Sequence, residues 1–414
     1  MAARALAALA LLLLAGCAAP PSAEPSAPVA PAPLAVSEAV RVDAAQPARE
    51  PSIVALPDGG LIVAGYWGPV RYAEALPPLG AALQAPLLWR SDDAGATWQR
   101  LDPGLPSDRA LGNSDISLAA AADGTLYVGS LTFNNPANTL VAGASADGGR
   151  TWTWSLLQQG PLVDRPWMRV APGGIAHVVW NDGRAIHHAF SADRGRSWPR
   201  APDLAVEGGD GGFDVGPGGE LAVRVVPLRG GGLAPPGSVD GVAVSRDAGA
   251  TWQLRELPGN RAWPSATGAG GDGTPRAWDP VAFDGGGQLW AAWGEGDALW
   301  LARSSDLGAS WTTEVLAQRE GGTVFDPFLR GGPRVGEVAA TWFVNPTGSA
   351  AARLAQRLPS GAVRLATLEP DTGSADHGEY FEVAWLAEGG LAAAVPVLRQ
   401  GAQLLDFRAA RAAS

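Results

Sequence analysis

Seven carboxylates open similar short stretches along the chain: Glu50, Asp115, Asp164, Asp214, Asp279, Asp326 and Glu379. Gathered in a ring, such groups would raise one another's pKa, share protons or hold a cation. Kept apart, each would only cap its own strand by accepting a backbone N–H. Two arginines and a tyrosine stand close to this series. Arg49 precedes Glu50, and Arg353 lies 27 residues before Tyr380, which follows Glu379. A planar guanidinium pairs a carboxylate in bidentate fashion, so arginines converging on one point would grip an anionic group. The four histidines lack metal-ligand spacing. His187 and His188 are adjacent and would face opposite sides of a strand, and His177 and His377 have no helical or cysteine partner. The expectation is no metal and no cofactor.

The elements that would position these groups are short strands. Each unit opens with an acidic residue, often followed by proline or an aromatic, and continues into a short apolar strand. A glycine-rich turn and a second strand rich in Trp, Val and Leu follow. The units span 50–67, 114–130, 164–180, 212–226, 279–293, 326–342 and 379–396. Their pitch of roughly 50 residues is that of a four-stranded propeller blade. Seven blades are expected, with six as the alternative count if one unit is irregular. The last unit is a strand short, and a segment near Leu34–Val42 would complete it and close the ring, removing an exposed sheet edge. The first residues of each opening strand would then converge on the channel mouth. The longest insertions, near 68–87 and 229–238, would overhang one face.

A second repeat is sharper. SDDAGATW (91–98), SADGGRTW (145–152), SADRGRSW (191–198), SRDAGATW (245–252) and SSDLGASW (304–311) recur at spacings of 54, 46, 54 and 59 residues. The pattern suits a hairpin loop: Asp can accept backbone N–H groups across the turn, Gly can take positive φ, and Trp starts the outgoing strand. These octapeptides resemble the Asp box, or BNR repeat, of sialidase-like β-propellers. The resemblance implies an all-β Asp-box propeller, with the boxes at the rim and away from the central site. Asp93, Asp147, Asp193, Asp247 and Asp306 are therefore read as structural.

Sialidases use a Tyr nucleophile with a Glu partner, an Asp acid/base and three Arg residues that hold the substrate carboxylate. A phenol activated by an adjacent base suits an anionic sugar that would repel a carboxylate nucleophile. Carried over residue by residue, the resemblance places the nucleophile at Tyr380 with Glu379 beside it. The Glu partner's place falls to Asp279. Arg49, with Glu50 following where the family has Ile, and Arg353, after TWFVNP, match two of the three arginines. The middle arginine's place holds Asp240 or Leu299. The acid/base Asp has only Asp58, Asp92 and Asp93 as candidates, with Glu74 the nearest loop carboxylate. Arg71, Arg224 or Arg276 would have to complete the cluster from another loop. Trp67 and Trp263, in or beside loops, could stack on sugar rings.

Composition limits the partners. The chain has 414 residues, a net charge of −11 and one cysteine, with 46% hydrophobic residues, 17% charged and a mean hydropathy of +0.03. All 30 basic residues are Arg. This excludes a disordered acidic chain, a disulfide scaffold and a cysteine-rich zinc module, and it argues against nucleic acid. Residues 1–17 read MAARALAALALLLLAGC, with an apolar run too short to span a bilayer. Leu14-Ala15-Gly16-Cys17 resembles a bacterial lipobox, which implies cleavage before Cys17 and lipidation there. Residues 18–36, rich in Pro, Ala and Ser, read as an extended tether, and 37–414 as one propeller domain.

The expected protein is an exported lipoprotein of the bacterial envelope, held to a membrane by its lipid. Its axial face would bind an extracellular glycan or an envelope protein. The alternative is an exo-sialidase-type glycoside hydrolase.

Overall fold

The computed structural model describes residues 31–66, 86–104, 110–134, 138–204, 209–226, 228–229, 232–233, 241–258, 280–318, 320–345, 349–374, 378 and 380–413. The leader, Cys17, Trp67, Glu74, Asp240, Trp263, Asp279, His377 and Glu379 lie outside them, as do Arg71, Arg276 and most of the two long insertions.

The fold is all-β, and the expected seven blades are present. Their innermost strands are Arg49–Ala55, Ala110–Ala120, Asp164–Val170, Gly209–Val215, Val281–Phe283, Thr323–Gly331 and Val383–Trp385. Each pairs antiparallel with the strand that follows its turn. Five blades have four strands, with a small separate hairpin of Leu228–Arg229 and Gly232–Leu233 inserted in the fourth; the third has three, extended by isolated bridges at Ala189–Arg200 and Ile186–Leu204.

The seventh blade closes the ring as the sequence led us to expect. Its three C-terminal strands end at Ala402–Ala412, against which Leu34–Val36 pairs as the outermost strand. Val40–Arg41 pairs with the same C-terminal strand, and Arg41 Nε donates to Asp406 Oδ1 at 2.5 Å. The globular fold therefore begins at or before Leu34, three residues inside the segment read as tether.

All five octapeptides form the turn that follows the third strand of their blade. In each, the Ser hydroxyl accepts the Gly N–H at 2.7–2.9 Å. The Asp carboxylate accepts the backbone N–H of the Thr or Ser four residues on at 2.8–3.0 Å. The residue before the invariant Gly is also left-handed, Ala94, Gly148, Arg194, Ala248 and Leu307 having φ of 55–71°. Glycine is needed next for a packing reason as well. A Cβ on Gly95 would sit 2.1 Å from the Phe407 ring of the seventh blade, and one on Gly195 would sit 2.2 Å from Ala144 of the second. The turns thus dock each blade onto the one before it.

Apolar side chains fill the spaces between blades, with Trp89, Trp180, Trp290 and Trp342 essentially buried. The inner edge has unpaired N–H groups, which need acceptors. The preceding blade supplies them: Ser52 Oγ accepts from Leu118 N, Ser117 Oγ from Met168 N, and Asp214 Oδ2 from Phe283 N.

Candidate functional site at the propeller axis

Antiparallel blades put the octapeptide turns and the first glycine turns at one end, so the starts of the inner strands meet at the other. One position recurs there. Glu50, Asp115, Arg165, Asp210, Asp326 and Tyr380 each lie five residues before the last paired residue of their strand: Ala55, Ala120, Val170, Val215, Gly331 and Trp385. The pairing register breaks at or beside this position in the first five of these six blades. Glu50, Arg165 and Asp326 have φ of 45°, 57° and 47°. A bulge with left-handed backbone re-aims a side chain, and such strain concentrates at working sites.

The register corrects two members of the expected carboxylate ring. In the third blade Arg165, not Asp164, takes the position; Asp164 stands beside it, Oδ2 3.8 Å from Arg165 Nε. In the fourth blade Asp210 takes it. Asp214 lies one layer deeper, where its Oδ2 accepts the Phe283 N–H at 2.7 Å and its Oδ1 lies 3.5 Å from Arg169 Nε.

Asp210 is the most unusual group of this ring. It is 1% exposed, and Asn181 Nδ2 donates to its Oδ1 at 2.7 Å. The Asn181 amide is oriented by its own Oδ1, which accepts the Gly183 N–H at 3.1 Å. Asp210 Oδ2 has no hydrogen-bond partner. Burial pushes its carboxyl up to about 7, against the pull of Asn181 and the Arg165 charge and with a push from Asp115. Asp115 Oδ2 accepts from the Ser114 hydroxyl at 2.7 Å. Burial and the charges of Glu50 and Asp115 also raise the Tyr66 hydroxyl well above its usual range.

Below the ring the axis turns aromatic. The Trp167 and Tyr380 rings lie 5.3 Å apart, and Phe328 lies 6.4 Å from Tyr380. With Gly211, Gly212 and Arg169 they line a cavity of about 10 Å³, room for roughly one water or hydroxyl group. The Trp167 indole N–H is buried without a partner. The Tyr380 hydroxyl lies 3.5 Å from the Ile116 carbonyl.

A buried charge network forms the floor. Glu382 is fully buried and accepts from Ser52 Oγ at 2.8 Å and Arg330 at 3.0 Å, with Arg169 Nη2 3.9 Å from its other oxygen. Burial, reinforced by the Arg330 charge, lowers Arg169 to about 10.

Of the residues singled out from the sequence, Glu50, Asp115, Asp326 and Tyr380 reach this axis, and Arg49 stands at its edge, its Nε 3.9 Å from Glu50. Arg353 does not. It occupies the third strand of the sixth blade, two strands out from the axis. There it meets Glu320 at 2.9 Å and the Thr367 hydroxyl. Leu299 is a core residue, Arg224 is fully buried, and Asp58 pairs with Arg90 in a turn at the opposite end. Among the described residues, Arg165, Arg169 and Arg330 approach the axis, and none of these had been singled out. Counting back from the glycine turns, rather than forward from each acidic residue, would have found Arg165 and Asp210. Among the described residues no cluster of three potential metal ligands occurs.

No protein-family model matches the chain, and no curated protein matches it. A protein of unknown function from Dyadobacter fermentans aligns over 92% of this chain and 99% of its own, at 18% identity and a TM-score of 0.55. The GH93 α-L-arabinofuranosidase of Fusarium graminearum, solved with arabinobiose, aligns over 90% of this chain and 96% of its own, at 12% identity and 0.51. The Trypanosoma rangeli sialidase, solved with the inhibitor DANA, aligns over 91% and 60%, at 15% identity and 0.45. At such identities the first two likenesses are of fold alone, and the described strands of this chain form a seven-bladed β-propeller.

Proposed function

We propose that the chain is an exported, lipid-anchored propeller of the Asp-box class whose axial face binds a glycan. One observation carries the reading: a buried, partnerless indole N–H on Trp167, whose ring packs tilted against Tyr380, beneath a mouth lined by Glu50, Asp115 and Asp210. Sugars bind through such aromatic faces and such mixed donors and acceptors. The small cavity takes a hydroxyl, so the ring of the sugar would lie at the mouth above it. The five octapeptides support the Asp-box assignment, and Cys17 after Leu14-Ala15-Gly16 supports lipidation at the bacterial envelope. An envelope protein is the other partner such a face would take.

The sialidase reading draws on one observation, the position of Tyr380 at the axis. Against it stands Arg353, held by Glu320 instead of facing Tyr380. Arg169 and Arg330 are likewise engaged by Asp214 and Glu382.

Full-length protein in detergent, applied to a glycan array and followed by calorimetry, tests the binding reading. A bound glycan whose affinity falls at least about tenfold in Trp167→Ala supports it. An array without a hit, or a hit indifferent to Trp167, overturns it. A fluorogenic sialoside turned over by the wild type but not by Tyr380→Phe would establish the sialidase instead.

A further inference from the structure

We propose that the axial mouth is a catalytic site in which Asp210 is the proton donor and Asp115 the proton acceptor for hydrolysis of a neutral glycoside. This rests on the glycan-binding reading and adds chemistry to it.

The geometry makes the two oxygens of Asp210 unequal. Oδ1 is fixed by Asn181, whose amide is itself fixed by Gly183; Oδ2 is buried with nothing to accept from or donate to. An isolated buried carboxyl oxygen is costly unless it carries the proton. The next two residues, Gly211 and Gly212, have no side chains and line the cavity beside Trp167 and Tyr380. Near-neutral titration of Asp210 fits a group that must hold its proton and yet release it at ordinary pH.

Asp115 differs in its surroundings. It is 8% exposed and receives a hydrogen bond from Ser114, which favours its use as an acceptor. Two carboxyl groups in one site with unequal environments divide the roles of acid and base. Glu50 adds negative charge where an oxocarbenium-like centre would develop. The same charges disfavour a sugar carboxylate, so the substrate class is neutral.

The step balances with water as co-reactant. The Asp210 hydroxyl gives its proton to the glycosidic oxygen as the bond from that oxygen to the anomeric carbon breaks. Water attacks the anomeric carbon and gives its proton to Asp115. A hemiacetal sugar and an alcohol leave, and proton exchange with solvent restores both carboxyl groups.

The experiment offers full-length protein a panel of 4-nitrophenyl and 2,4-dinitrophenyl glycosides of neutral pentoses and hexoses, with binding measured by calorimetry on the same samples. The expected result is turnover that falls with an alkaline limb near pH 7. Asp210→Asn should lose about 100-fold or more in kcat on 4-nitrophenyl substrates and far less on 2,4-dinitrophenyl ones, whose leaving group needs no proton. Asp115→Asn should lose about 100-fold or more in kcat on both substrate classes, with no such rescue. Thermal melts of both variants separate chemistry from misfolding. Binding of a neutral glycan without turnover of any substrate overturns the catalytic proposal and leaves the binding reading intact. Absence of both overturns both, and turnover indifferent to Asp210→Asn overturns the role assigned to that residue.

Discussion

The Arg330 guanidinium donates to Glu382 Oε2 at 3.0 Å, joining the inner strands of the sixth and seventh blades. Glu382 also accepts from Ser52 of the first blade, and its main-chain N–H bonds the Pro51 carbonyl at 3.0 Å. One fully buried carboxylate therefore ties the last blade to both its neighbours. Removing one partner of a buried ion pair strands the others, at a cost of about 3–5 kcal/mol. Glu382→Ala is expected to lose that much in urea unfolding, and Glu382→Gln, which can still accept from Ser52, distinctly less. Equal losses would show that the charge carries the whole contribution and the hydrogen bond from Ser52 none.

The octapeptide turns should respond to both mutation and acid. Ser304 Oγ accepts from Gly308 N and donates to Asp306. Ser304→Ala leaves the buried Gly308 N–H without an acceptor and should cost about 1–3 kcal/mol.

The carboxyl groups of Asp93, Asp147, Asp193, Asp247 and Asp306 are lowered to about 2. For four of them hydrogen bonds lead, from Thr or Ser four residues on and from the Ser two before. In Asp147 burial opposes the same bonds. A lowered folded-state pKa gives stability that is present above about pH 4 and lost as pH falls through about 2. The melting temperature should drop over that window, less steeply in Asp306→Asn than in wild type. A drop of equal slope in the variant would remove this carboxyl from the account.

A second acid-sensitive element lies between the third and fourth blades. His177 Nδ1 and His188 Nε2 are 3.0 Å apart, and both rings are buried. Burial lowers His177 to about 4; burial, with the His177 charge, lowers His188 to about 3. The unfolded chain takes up these protons near pH 6.5 and the folded chain does not, so stability falls as pH drops from 6.5 toward 4. His188→Gln should flatten the melting-temperature profile between pH 7 and 5. An unchanged slope would mean that the pair is protonated in place.

Asp210 should act with the opposite sign. Its raised folded-state pKa gives a contribution present below about pH 4 and lost as pH rises through about 7. Asp210→Asn is expected to melt above wild type at pH 8 and close to it at pH 4. A variant less stable at pH 8 would show that the ionised carboxylate is a structural partner.

Closure by the N-terminal strand can be tested by deleting Leu34–Val36, which pairs with Ala410–Ala412. The deletion bares the edge of the C-terminal strand. A lower urea midpoint and self-association are expected. A monomer of unchanged stability would show the strand to be dispensable.

The sequence by itself determined the architecture, because propeller blades are local units. A strand, a glycine turn and a second strand recur at fixed spacing, and Ser-x-Asp-x-Gly-x-Thr/Ser-Trp encodes a hairpin turn from the chemistry of eight neighbouring residues. The missing strand of the last unit was legible for the same reason. Only the tertiary structure decided what stands on the axis. Bulges shift the inner strands by a residue, which exchanges Asp164 for Arg165. Asp210 reaches the mouth and Asp214 the floor because the hairpin register, not the first acidic residue of the unit, fixes the level. Arg353 was drawn to Glu320, a partner 33 positions away in the sequence, and Glu382 gathered Ser52 and Arg330 from separate blades. The pairing of Ser52 with Glu382 depends on ring closure, which brings together residues that no local pattern connects.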